Sequence, residues 1–183
     1  MNLLLQIGLF LLQTFIHLFA ACFLLRFYAF LCRINLVSSA TGIGRFISAL
    51  TDWAVLPLRQ VLPRTGRLDL PSLLPALVGL LLLSGLKAWL AIGGLNATQV
   101  LLLFVVDTLR LMISLWTGVL IVQALLSWIQ TASPVQYVLN QITEPILKPI
   151  RRRLPLVGGI DLSPLVALLI LQVLSMLLQG ISI

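Results

Sequence analysis

Three formal charges lie inside otherwise apolar stretches of the chain: Lys87, Asp107 and Arg110. A charge at the centre of a bilayer costs roughly 2.5–3.5 kcal/mol on insertion scales, so each is a suspect for an ion path or a proton relay. Asp107 and Arg110 are three residues apart, a spacing at which helical side chains pair. Such a pair, with Lys87 and Arg110 reaching toward the far interface along their alkyl stems, also accounts for the charges without transport. His17 lies mid-run with Gln6 and Gln13, which suits hydrogen bonding between helices. It is the one His in the chain, so no metal site is expected. Cys22 and Cys32 read as packing residues, and two Cys make no disulfide framework. There is no GxSxG, no Walker A sequence, no usable carboxylate pair and no Cys/His cluster. The expectation is a protein that is not an enzyme, with no catalytic residue, no cofactor and no bound metal.

The elements that must position these residues follow from where charge is absent. Of 183 residues, 60% are hydrophobic and 9% are charged. A soluble domain carries about 25% charged residues, so soluble enzymes and free nucleic-acid-binding modules are excluded. A membrane-crossing helix needs about 20 apolar residues. Four runs meet this, at about 2–25, 73–92, 100–129 and 162–183. Backbone groups in hydrocarbon must bond within their own segment, which makes the runs helices. The first run lacks the basic n-region of a signal peptide and is too long for one. Six Arg fall between Arg26 and Arg67, and Lys148, Arg151, Arg152 and Arg153 form a second basic stretch. The positive-inside rule puts both stretches in the cytoplasm and both termini on the periplasmic side. Basic residues so placed face anionic lipid head groups, and no direct nucleic-acid contact is expected.

The two basic linkers repeat one another at an offset of 92. Thr51 to Leu70 aligns with Thr143 to Leu162, and eight of 20 positions are identical. The shared unit is P-[LI]-R-x-x-L-P-x-x-G-x-[LI]-D-L. The chain therefore divides into residues 1–94 and 95–183, each a helix, a linker and a helix. Two spans per unit give parallel copies, with an expected pseudo-twofold axis along the membrane normal. In the second linker Val135, Val138, Leu139, Ile142, Ile146, Ile150 and Leu154 form an apolar stripe. Phe46, Ile47, Leu50, Val55, Leu58 and Val61 form the first. Apolar stripes with basic ends describe helices in the membrane interface. Pro57, Pro145 and Pro149 are expected to kink or end them. Asp69 and Asp161 are expected to cap the helices that follow. Small pairs at Ser84/Ala88 and Ser114/Gly118 permit close helix approach.

These residues resemble the YggT family, also called YlmG-like, of small integral membrane proteins of bacteria and plastids. The likeness is densest in Ser127-Trp128, Ser133-Pro134-Val135, Tyr137 and the run Thr143 to Arg152. Leu154-Pro155 and Gly158 to Pro164 extend it. The first copy carries Leu24-Leu25-Arg26, Pro57-Leu58-Arg59 and Leu62-Pro63. Where the family often has Asn-Pro after the first helix, this chain has Leu36-Val37-Ser38-Ser39. The resemblance implies an all-α membrane protein whose helix–linker–helix repeat occurs twice. It implies a link to cell-division geometry, to osmotic or cation stress, or to assembly of membrane complexes. It transfers no catalytic residue.

The resulting expectation is a non-catalytic multi-pass protein of the bacterial inner membrane, acting as a scaffold or assembly factor. Its candidate docking residues are Pro57, Arg59, Pro63, Asp69, Lys148, Pro149, Arg151, Arg152, Arg153 and Asp161. They would face anionic lipid or a membrane-protein partner, and a homo-oligomer is compatible with the apolar outer surface. The alternative expectation is ion transport or osmotic homeostasis through Lys87, Asp107 and Arg110.

Overall fold

The structure, a computed structural model, describes residues 3–34, 42–62, 69–94, 96–128, 134–154 and 161–180. Among the described residues there are six helices: α1 (Leu3–Leu31), α2 (Gly42–Val61), α3 (Leu70–Ile92), α4 (Ala97–Trp128), α5 (Pro134–Arg151) and α6 (Ser163–Gly180). No strand occurs among the described residues. Four of the helices, α1, α3, α4 and α6, are long and apolar enough to cross a membrane. Large side chains such as Phe10, Leu82, Leu169 and Leu177 point outward along them. An apolar outer surface of this extent suits hydrocarbon rather than water.

Helix α1 runs six residues beyond the expected Leu25. Arg26 does not end it, because the guanidinium is held by Thr51 and Asp52 of α2. The helix stops in a Schellman turn, with Ile34 N–H donating to Ala29 at 2.8 Å and Arg33 N–H donating to Phe30 at 3.0 Å. Arg33 takes the left-handed conformation there, at φ 57°, a place more often filled by Gly. At the far end of α3 a Gly does this, since Gly93 has φ 73° and donates to Trp89 at 2.9 Å. Asn96 then opens α4, accepting from Thr98 N–H at 3.1 Å.

The linker helices pack on the bundle. Helix α2 lies against α1 and α3, and α5 lies against α4 and α6. In α2 the buried positions are Gly44, Ile47, Thr51 and Val55, three or four apart. In α5 they are Val138, Leu139, Ile142, Thr143 and Leu147. The expected stripes are met in part: Phe46 and Val61 are exposed, while Thr51 and Thr143 are fully buried. Each Thr hydroxyl donates to the carbonyl four residues back, Ile47 and Leu139, at 2.7 and 2.9 Å. That internal bond is what lets a hydroxyl sit among apolar neighbours.

The prolines do not end these helices. Pro57, Pro145 and Pro149 all lie inside them. Each Pro lacks an N–H and leaves the carbonyl four residues earlier without its donor. Those carbonyls belong to Trp53, Gln141 and Pro145, and all three residues, like the prolines themselves, are on the exposed face. Other donors can reach an outward carbonyl, so the helix continues.

The four long helices pack in a row, α1 on α3, α3 on α4 and α4 on α6, with α4 also touching α1. A twofold exchanging α1 with α4 and α3 with α6 would require an α1–α6 contact to match α3–α4. Among the described residues α1 and α6 make no comparable contact, and the row is open there.

Candidate functional site

Two Arg–Asp clasps hold the linkers to the helices that follow. Arg59 Nη2 meets Asp69 Oδ2 at 3.1 Å, across the end of α2 and the start of α3. Arg151 Nε meets Asp161 Oδ2 at 2.7 Å, across the end of α5 and the start of α6. Both pairs span ten residues, and they lie at corresponding positions of the two linker sequences. Each clasp ties the end of a linker helix to the start of the helix that follows. Pro63 lies outside the described residues.

The surroundings of the clasps differ. Asp69 is 1% exposed and Arg59 27%. The Asp69 carboxylate also accepts from the Ser72 hydroxyl at 2.7 Å. It makes no side-chain cap on α3, in contrast to the expectation, because both interactions draw it toward side chains. Its backbone carbonyl serves the helix start instead, accepting from Ser72 N–H at 3.0 Å. Asp161 does reach the start of its helix, accepting from Ser163 N–H at 2.9 Å. Arg151 is 39% exposed and also binds Glu144 at 2.8 Å. Burial pushes the Asp161 carboxyl up, but the Ser163 hydroxyl and N–H together with Arg151 outweigh it, and the net shift is downward.

Four of the expected docking residues are thus engaged inside the protein: Arg59, Asp69, Arg151 and Asp161. Lys148, Arg152 and Arg153 are exposed, and among the described residues they have no acidic partner. Pro57 on α2 and Pro149 on α5 are exposed as well.

The intramembrane charges pair differently from the expected spacing. Asp107 Oδ2 accepts from Lys87 Nζ at 2.8 Å, joining α4 to α3. Arg110 donates from Nη2 to the Leu178 carbonyl of α6 at 3.1 Å. Asp107 and Arg110 therefore reach opposite neighbours rather than each other. Sequence spacing along one helix names possible partners, while the packing of α3 and α6 on either side of α4 chooses them. Lys87 stands about 25 Å along α3 from Leu70, at 1.5 Å per residue, in the far half of the span. Among the described residues the buried Nε2 of His17 on α1 has no hydrogen-bond partner. Near the other end, Gln123 of α4 donates to Asn140 of α5 at 3.0 Å. Arg26 holds the corresponding contact between α1 and α2, at 2.7 Å to Asp52. The sequence signal for this role was Arg26 itself, a charge at the point where an apolar run meets a linker. Among the described residues no three His, Cys, Asp or Glu converge to hold a metal ion.

Similar proteins are found along nearly the whole chain. The profile of the CCB3/YggT family matches residues 5–90 and 102–182. The protein named "Uncharacterized protein YggT" from Escherichia coli K12 is 37% identical over 172 residues, covering 91% of this chain and 86% of that protein. An uncharacterized protein of Vibrio alginolyticus is 33% identical over 175 residues, covering 94% and 93%. One from Pseudomonas aeruginosa is 34% identical over 175 residues, covering 93% and 87%. No solved structure matches. With both halves matched and this level of identity, the chain belongs to the CCB3/YggT family.

Proposed function

We propose that this is a non-catalytic scaffold or assembly factor of the bacterial inner membrane, built from two parallel helix–linker–helix copies. Its basic linkers face the cytoplasm and its termini the periplasm. The docking surface is the end of α5, where Lys148, Arg152 and Arg153 stand exposed beside a clasp that consumes Arg151. That division of labour carries the reading: one Arg fixes the linker, and the remaining cations are left for acidic groups outside the chain. Exposed basic groups at a membrane surface attract anionic lipid at about 1 kcal/mol each. An acidic patch on a membrane-protein partner answers the same cations.

The test is the triple variant Lys148→Glu/Arg152→Glu/Arg153→Glu, which spares Arg151. It is expected to insert normally and to lose co-purifying membrane proteins after crosslinking in native membranes. Unchanged recovery of those proteins, with unchanged binding to anionic vesicles, removes the proposal.

A second reading, cation or proton movement, is favoured by the Lys87–Asp107 pair within the spans. Reconstituted liposomes decide it. Flux above that of empty vesicles, abolished in Asp107→Asn, supports it, and flux indifferent to that substitution removes it.

A further inference from the structure

Within the first half of the row, α4 covers part of the groove between α1 and α3, and an apolar cavity of about 520 Å³ remains between those helices, lined by Leu11, Phe15, Phe19, Trp53 and Gly79. Helix α4 packs on both walls and delivers Asp107 to Lys87. Leu83, one turn below Lys87, is buried. Between α4 and α6 the second half has a groove of the same kind, and it is open. A cavity of about 480 Å³ lies there, lined by Arg110, Ser114, Ser175 and Gln179. Ser114 and Gln179 are exposed, as is Gly118 one turn along from Ser114.

The two grooves correspond residue by residue. Superposing Asp161 on Asp69 carries Gln179 onto Lys87 and Ser175 onto Leu83. Superposing the last residue of α4, Trp128, on the last of α1, Leu31, carries Ser114 onto His17. The side chains of the open cavity therefore stand where the first groove receives α4. Polar groups facing lipid tails without partners are unfavourable, and a neighbouring helix is the usual way to satisfy them. The chain has two helices of the class that fills such a groove, α1 and α4, and α4 is already used. The outer face of α1 is free at the other end of the row, where Phe10 stands at the place of Asp107, flanked by Gln6 and Gln13.

We infer that α1 of a second copy of this chain docks in the α4–α6 groove, making a head-to-tail homo-oligomer in the membrane. The contact is heterologous, since one copy gives the groove and the other the helix. It repeats between chains the step that α4 makes within one, with Gln6 and Gln13 meeting the polar lining. Neutral amides suit this place because the chain has no spare acid: all five acidic residues are already in ion pairs. The inference rests on the two-copy layout proposed above, and is independent of docking at α5.

The experiment uses the full chain with Cys22→Ser and Cys32→Ser. Phe10→Cys is placed on one tagged copy and Gln179→Cys on a differently tagged copy. Both are co-expressed, and native membranes are oxidised with copper phenanthroline. A disulfide-linked pair carrying both tags is expected, about ten-fold above the pair Phe10→Cys with Trp89→Cys, because docking raises the local thiol concentration. Trp89 is lipid-facing on α3, near the level of Lys87. Yield no higher than this control overturns the inference. So does an intramolecular disulfide as the main product when both cysteines are placed on one chain, since α6 then folds back onto α1. Failure of the two-copy layout is seen separately, by reporter fusions in residues 63–68 and 155–160 giving opposite sides of the membrane.

Discussion

The two linkers close with the same clasp but bury it to different depths. Arg59–Asp69 sits with its acid sealed from solvent, while Arg151–Asp161 keeps both partners about a third exposed. Around the first, Arg26 adds a second ion pair to Asp52. Around the second, the neutral Gln123–Asn140 contact takes that place, and Arg151 divides itself among Asp161, Glu144 and Ser163. The same residue types at the same spacing thus do unequal work, because solvent screens one pair and not the other. The buried clasp belongs to stability. The exposed one borders Lys148, Arg152 and Arg153, which have no acidic partner among the described residues.

The largest expected effect breaks the buried clasp. Asp69→Ala leaves Arg59 and the Ser72 hydroxyl without their acceptor, and breaking a buried pair from one side costs about 3–5 kcal/mol. Asp161→Ala is expected to stay within about 1 kcal/mol, as exposed pairs do. Unfolding of the detergent-solubilised protein measures both, and equal losses would erase the contrast between the linkers. Next in size is the intramembrane pair. Lys87→Met leaves Asp107 unpaired within the span, for about 2–3 kcal/mol. The double variant Lys87→Met/Asp107→Leu is expected to recover most of that, and a double-mutant cycle reads the coupling. A double variant as damaged as the sum of the singles would show that the pair is not coupled.

The smallest effect is a pH dependence that sharpens the comparison at the exposed clasp. The Asp161 carboxyl is held below its ordinary value in the folded protein. As pH falls, the unfolded chain takes the proton first, at about 3.9. The stability contributed by Asp161 is therefore present above that pH and is lost as pH falls further, through the folded value. Unfolding curves between about pH 5 and pH 2 are expected to lose part of their slope in Asp161→Asn. An identical slope in the variant would contradict the assignment.

Much of this arrangement was legible in the residues. The lengths of the charge-free runs gave the four long helices, since hydrocarbon thickness leaves little choice. Shared P-[LI]-R and D-L elements marked the positions that became the two clasps. The exit of α1 was less legible. Arg26 looked like the end of the span, and only the approach of Thr51 and Asp52 explains why the helix continues past it. The linker prolines were expected to kink or end their helices, and the structure shows that the helices run through them. The cationic site was readable as a cluster, but its division into engaged Arg151 and free Lys148, Arg152 and Arg153 was not.

What the sequence settled by itself was local and one-dimensional: which stretches must be helical, where the charges stand along them, and that the linkers match. Hydropathy and residue spacing act within a segment, so they can be read without neighbours. What only the tertiary structure decided was which segments meet. Asp107 found Lys87 across a helix interface rather than Arg110 along its own helix, and α4 came to lie against both α3 and α6. Those outcomes depend on side-chain fit between helices that are distant in the chain, and no spacing along one helix encodes that fit.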